Sequence, residues 1–137
     1  MYNKILIPMA LDHGIGQSAL DVAHALLTDG GSIIALHVHE APQGSVSTYL
    51  DADLVQAAFD QAKTTLETRV KDLPDVSAMI IKGHSGRSIV DVAKDIHADC
   101  IVIGSHKPGL IDYLLGSTAA RVVRHAPCAV HVLRNPT

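Results

Sequence analysis

Aromatic side chains are nearly missing from this sequence: its 137 residues include one phenylalanine, three tyrosines and no tryptophan. Such a chain has little with which to stack bases or build an aromatic cage. An excess of positive charge is missing too. Net charge is -3 and the 11 Lys+Arg residues are scattered, so there is no electrostatic footprint of a nucleic-acid binder. Long hydrophobic runs are also absent. The opening MYNKILIPMA has only a short apolar run, interrupted by Pro8, far from a signal h-region or a spanning helix, which predicts a cytoplasmic protein with no membrane partner. Cysteine is limited to Cys100 and Cys128, 28 positions apart. That is neither metal-ligand nor C-x-x-C spacing, and the expectation is two buried free thiols in a reducing compartment.

What is present is aliphatic. With 47% hydrophobic residues in 137, residues 1–137 are expected to form one domain around a real core. Five segments are short, rich in β-branched or aliphatic residues and bounded by turn formers: Lys4–Pro8, Ser32–Val38, Ala78–Lys82, Cys100–Gly104 and Ala129–Leu133. They read as near-continuous apolar runs, the mark of strands covered on both faces. Between them lie amphipathic stretches. Gln17–Thr28 places Leu20, Ala23, His24 and Leu27 at helical spacing, with Gly30-Gly31 closing it. Asp51–Asp72 carries Leu54, Ala57, Ala58, Ala62, Leu66 and Val70 on one stripe, and Ser85–His97 carries Ile89, Val92, Ala93 and Ile96. Ser117–His125 turns Ala120, Val123 and Arg124 toward its neighbours. Strict βα alternation with right-handed crossovers predicts an α/β fold, a doubly wound, Rossmann-like sheet of five parallel strands with helices on both faces. The polar stretch Ala41–Leu50 reads as a surface loop near the carboxyl ends of the strands. No internal repeat, low-complexity tract or linker interrupts the pattern.

In open α/β sheets ligands sit beyond the carboxyl ends of the strands, where strand order reverses. The loop after the fourth strand starts there. It runs Gly104-Ser105-His106-Lys107-Pro108-Gly109 and closes with Gly116-Ser117-Thr118 at the start of a helix. Gly104 lets the backbone approach a ligand, and Gly116 leads into a helix whose free amides attract an anion. Ser117 and Thr118 either cap that helix or donate to phosphate oxygens, and Lys107 can neutralise phosphate charge. The bland alternative is a glycine-punctuated crossover ending in an ordinary capped helix. No G-x-x-x-x-G-K-[ST] occurs, and Gly14-x-Gly16 lacks the third glycine and the acidic residue of a dinucleotide fingerprint, which disfavours kinase or hydride-transfer chemistry.

The order of elements, the opening KILIP, the segment LHV at Leu36–Val38 and the run VIGSHKPGLIDYLLGSTAARVVRHAPCAVHVL resemble the universal stress protein family over essentially the whole chain. The resemblance is to the small bacterial members of the F and G type, with a shortened nucleotide loop. The family pattern is G-x-x-G, nine residues, then G-[ST]. Here Lys107 stands at the second glycine's place and eight residues precede Gly116. The resemblance implies a homodimer joined through Ala129–Leu133 and a site for ATP, or ADP or AMP, with Mg²⁺ carried on the triphosphate. It implies that Gly104 lies against ribose and first phosphate, that Gly116, Ser117 and Thr118 cradle the phosphates, that Val38 offers backbone groups to adenine, and that Pro8 and Met9 line the base pocket. The family's ribose-binding aspartate is replaced by Ala10, losing an interaction worth about 1 to 3 kcal/mol. Asp12 either swings in to replace it or caps a turn before Gly14. The nucleotide-binding set is therefore Pro8, Met9, Asp12, Val38, Gly104, Ser105, His106, Lys107, Gly116, Ser117 and Thr118.

Nine histidines invite a metal reading, but His37 and His39, on one strand face, have no acidic or thiol cluster to complete a site. His106 either touches phosphate or is solvated. Asp112 and Tyr113 form no carboxylate pair or nucleophile–base set, so no catalytic residue is assigned and turnover is at most slow hydrolysis or self-modification. The expected function is a homodimeric stress-response module binding an adenine nucleotide. The rival is an interaction or scaffold dimer that has lost nucleotide binding.

Overall fold

The computed structural model describes residues 1–11, 16–40, 51–105 and 115–134. Its elements in chain order are β1 (Tyr2–Pro8), α1 (Gln17–Leu26), β2 (Leu27–His39), α2 (Ala52–Val70), β3 (Val76–Lys82), α3 (Ser85–Asp95), β4 (Cys100–Gly104), α4 (Ser117–His125) and β5 (Ala129–Leu133). All five strands are parallel and lie in the order β3-β2-β1-β4-β5. This is the expected doubly wound α/β sheet, with strand order reversing between β1 and β4.

Alternate residues of the central strands feed opposite layers, which is why each strand is apolar throughout. Leu6, Leu36, Ile101 and Ile103 pack under α3 and α4 with Ile89, Val92, Ala93, Ala119 and Val122. Ile5, Ile7, Cys100 and Val102 face the other way, onto Ala19, Leu20 and Ala23 of α1. On that same side Ala35 meets Leu66 and Val70 of α2. Cys100 is buried and Cys128 half-buried, and both are free thiols. Burial, then the neighbouring Cys128, pushes the Cys100 thiol above the usual thiol range.

Four expectations are corrected. Helix α1 stops at Leu26, and Leu27 already pairs with Tyr2 in the sheet. From Tyr2↔Leu27 to Lys4↔Ser32 β1 advances two residues while β2 advances five, so the extra residues form a bulge. Gly30-Gly31 belongs to it: Gly30 has φ +82°, and a Cβ on Gly31 would stand 2.8 Å from Asn3 O. These glycines allow close strand approach and do not end the helix. Helix α2, capped by Asp51, whose side chain accepts from Asp53 N, buries only its later stripe of Ala62, Leu66 and Val70; Leu54, Ala57 and Ala58 are exposed. Helix α3 ends at Asp95, because His97 takes a left-handed φ of +56°. Helix α4 is rotated by one residue from expectation. Ala119 and Val122 are buried, while Val123 is 48% exposed and Arg124 is also exposed.

Candidate functional site

The β1–β4 ladder, Ile5↔Cys100 and Leu6↔Ile101, when continued brings Met9 level with Gly104. On the other side Pro8 pairs with Leu36, and β2 runs on to Val38, paired across its far edge with Ile81. Three strand ends therefore converge on the point where strand order reverses. They carry Pro8, Met9, Val38, Gly104 and Ser105. Met9 N donates to Leu36 O at 2.8 Å, and His37 donates through Nδ1 to Met9 O at 3.2 Å, since a carbonyl can only accept. The Met9 side chain packs against the Ala35, Leu66 and Val70 cluster, so Met9 meets the crevice through its backbone. Val38 is buried in the layer under α3 and α4.

Gly104 is exposed, and a Cβ placed on it meets nothing within 4 Å. Neither packing nor a left-handed φ requires glycine there, and the space above its backbone is open. Ser105, next along, is buried at 2% exposure. Its N–H donates to Leu133 O at 2.9 Å and its carbonyl accepts from Gly116 N at 2.6 Å. The latter bond ties the two ends of the glycine loop together at the carboxyl end of β4.

Gly116 is the N-cap of α4, in extended conformation, with Ala120 N donating to its carbonyl at 2.8 Å. It offers no side-chain cap, and the first turn of α4 has no acidic residue. The first amides of an α-helix lack intrahelical acceptors, so this end is electropositive. Of the two readings of Ser117 and Thr118, capping is not what the structure contains. Ser117 is exposed and Thr118 half-buried, and both line a cleft of about 640 Å³ that runs from the start of α3 along the length of α4. A smaller hollow of about 260 Å³ between α2 and β3 is lined by none of the predicted site residues.

Asp12, His106 and Lys107 lie outside the described residues, as do Gly14, the stretch Ala41–Leu50, and Asp112 and Tyr113. Ala10 is exposed and has only a methyl group to offer a ribose. His37 and His39 are engaged with rings: His39 packs edge-on against Phe59, centroids 5.7 Å apart, and Lys82 Nζ lies 4.6 Å over Phe59. Among the described residues no three His, Cys, Asp or Glu groups are placed to hold a metal, and no helix is long and apolar enough to cross a membrane.

Sequence reasoning missed the far wall of the cleft. Glu40 Oε1 accepts from Ser85 N at 3.0 Å and Ser85 Oγ at 2.8 Å, so a residue at the end of β2 caps α3 from 45 positions away. Arg121 and Arg124 line the same cleft. Only their spacing from Ser117, four and seven residues, carried a signal, because it puts all three on one helical row.

Residues 1–134 match the model of the Universal stress protein family. Universal stress protein G of Salmonella typhimurium is 32% identical over 143 aligned positions, spanning 98% of this chain and 100% of that protein. Among solved structures, a hypothetical protein whose biochemical function was assigned from its structure superposes with a TM-score of 0.80 at 30% identity, over 100% of this chain and 99% of its own. A universal stress protein in complex with cAMP superposes with a TM-score of 0.60 at 21% identity, over 97% of each chain.

Proposed function

Because the chain belongs to the universal stress protein family, we propose that it is a single-domain, homodimeric, cytoplasmic stress-response module that binds an adenine nucleotide where β1 and β4 diverge. The observation that carries this reading is the uncapped start of α4 at Gly116, tied through Ser105 to the end of β4 beside the open space over Gly104. An anion at this helix start takes up amides for which the described residues supply no side-chain acceptor. In this reading adenine lies against the Val38 backbone and ribose near Pro8 and Gly104. A related fold is known in complex with cAMP, which supports room for an adenine nucleotide in this architecture.

The ligand is ATP, ADP or AMP. The described residues around the α4 start supply hydroxyls and amides, and the one carboxylate in the cleft, Glu40, is occupied in capping α3. Mg²⁺ thus travels on the phosphates of a triphosphate, with no carboxylate among the described residues dedicated to it. Edge strand β5 pairs only with β4, and its Val130, Val132 and Leu133 are only half-buried. A second copy covering this edge is the economical way to satisfy it.

Calorimetry and thermal melting with saturating ATP, ADP and AMP test the reading. Binding heat and a raised Tm are expected, because a ligand specific for the native state stabilises it. No heat and no shift with any of the three would overturn it. The exposed methyl of Ala10 favours one rival, a dimer that has lost its nucleotide. Nucleotide binding that appears only after Ala10→Asp would establish that rival.

A further inference from the structure

We propose that the cleft between α3 and α4 receives the distal phosphates of a nucleotide polyphosphate, and that Arg121 and Arg124 make the site prefer triphosphates to monophosphates. This rests on the nucleotide reading above and goes past it, since neither arginine belongs to the glycine loop. Ser117, Arg121 and Arg124 follow one another at i, i+4 and i+7 on α4, a row about 10 Å long at 1.5 Å rise per residue. All three line the cleft. A monophosphate at the first-turn amides lies short of the arginines, whereas a chain of phosphates continues along them.

Three features favour an anion on this row. Arg121 and Arg124 are both exposed on the cleft wall, open to a ligand that enters it. The stem of Arg121 is held in place: it lies over the buried Gly86 of α3, where an added Cβ would stand 2.6 Å from Arg121 Cδ and 3.3 Å from its Cβ. A charged group whose stem is fixed by packing loses less side-chain freedom on binding. The other helix start in the cleft is already taken, because the Glu40 carboxylate sits on Ser85 N. An incoming polyanion is therefore repelled from the α3 end and drawn toward α4. His84 and His125 also line the cleft. The rival account of Arg124 and His125 is that basic groups suit a helix C-terminus. That account predicts a change in Tm on substitution and none in ligand preference.

The test measures binding of AMP, ATP and inorganic tripolyphosphate to the full chain and to its Arg121→Gln and Arg124→Gln variants, with melting as a control for folding. ATP is expected to bind at least about tenfold more tightly than AMP, and each substitution to weaken ATP and tripolyphosphate by about tenfold with AMP unchanged. Folded variants that keep the wild-type ATP-to-AMP ratio would overturn the proposal, as would a wild-type ratio near one. Arginine-dependent tripolyphosphate binding without any nucleotide binding would sustain the cleft and overturn the adenine site. Binding of none of the three ligands would overturn both.

Discussion

The four helices start in two ways, and the division follows the sheet. Helices α2 and α3, which follow β2 and β3, have their first amides taken by carboxylates of the chain, Asp51 locally and Glu40 from a distance. Helices α1 and α4, which follow β1 and β4, begin at Gly16 and Gly116 with no side-chain cap. These two strands flank the point where strand order reverses. Where the crossovers diverge, the described residues thus leave amide dipoles unopposed, and away from that point they neutralise them. A glycine cap is only a few tenths of a kcal/mol weaker than an aspartate cap, so leaving these two starts, one on each face of the sheet, open to an anion costs the fold little.

Giving α4 the treatment that α3 receives should break the contrast most severely. In Gly116→Asp the N-cap is already extended at φ −61° and ψ 155°, a conformation aspartate accepts, and its carboxylate can take a first-turn amide. Stability should rise by a few tenths of a kcal/mol. ATP affinity should fall on the order of a hundredfold, since a carboxylate about 5 Å from a phosphate opposes it by about 3 kcal/mol at an effective dielectric of 20. Melting and calorimetry on one preparation read the two opposite signs, and a variant that melts higher yet binds ATP normally would remove α4 from the site.

Gly104→Ala probes the same region with a smaller effect. The new methyl enters open space, so the fold should gain roughly 0.4 to 1 kcal/mol from a stiffer unfolded chain. Nucleotide affinity should drop about tenfold if ribose and phosphate approach that backbone. Unchanged affinity by calorimetry would show that the open space is solvent and not ligand.

The local half of this contrast was legible in the sequence. The bounds of β4, β5 and α4 agree with expectation because aliphatic runs there are closed by glycine or proline and the helix follows a glycine. The two readings of Ser117 and Thr118 stayed open in the sequence because composition cannot tell a hydroxyl that caps from one that faces a cleft. The phase of α4 slipped because Ala119 and Val122 are as apolar as Ala120 and Val123, and only packing against the sheet and α3 chooses between them. Leu54, Ala57 and Ala58 continue the stripe of α2 although only its later half is buried. The remote cap was invisible, since nothing local to Glu40 or Ser85 announces a bond across 45 positions.

That remote cap supplies the smallest test. Glu40→Ala uncaps α3 by removing the acceptor of Ser85 N and Ser85 Oγ, at a cost of about 1 kcal/mol, or about 3 to 5 °C in Tm for a domain of this size. It also removes the negative charge that faces Arg121 and Arg124 across the cleft. If a polyphosphate lies along α4, its affinity should rise about two- to fivefold, while that of AMP, seated short of the arginines, should not move. Two open helix starts in one cleft would then compete for the same anion. A variant that loses stability with no gain for ATP over AMP would mean that Glu40 acts on α3 alone, and that the contrast between the helix starts belongs to folding and not to binding.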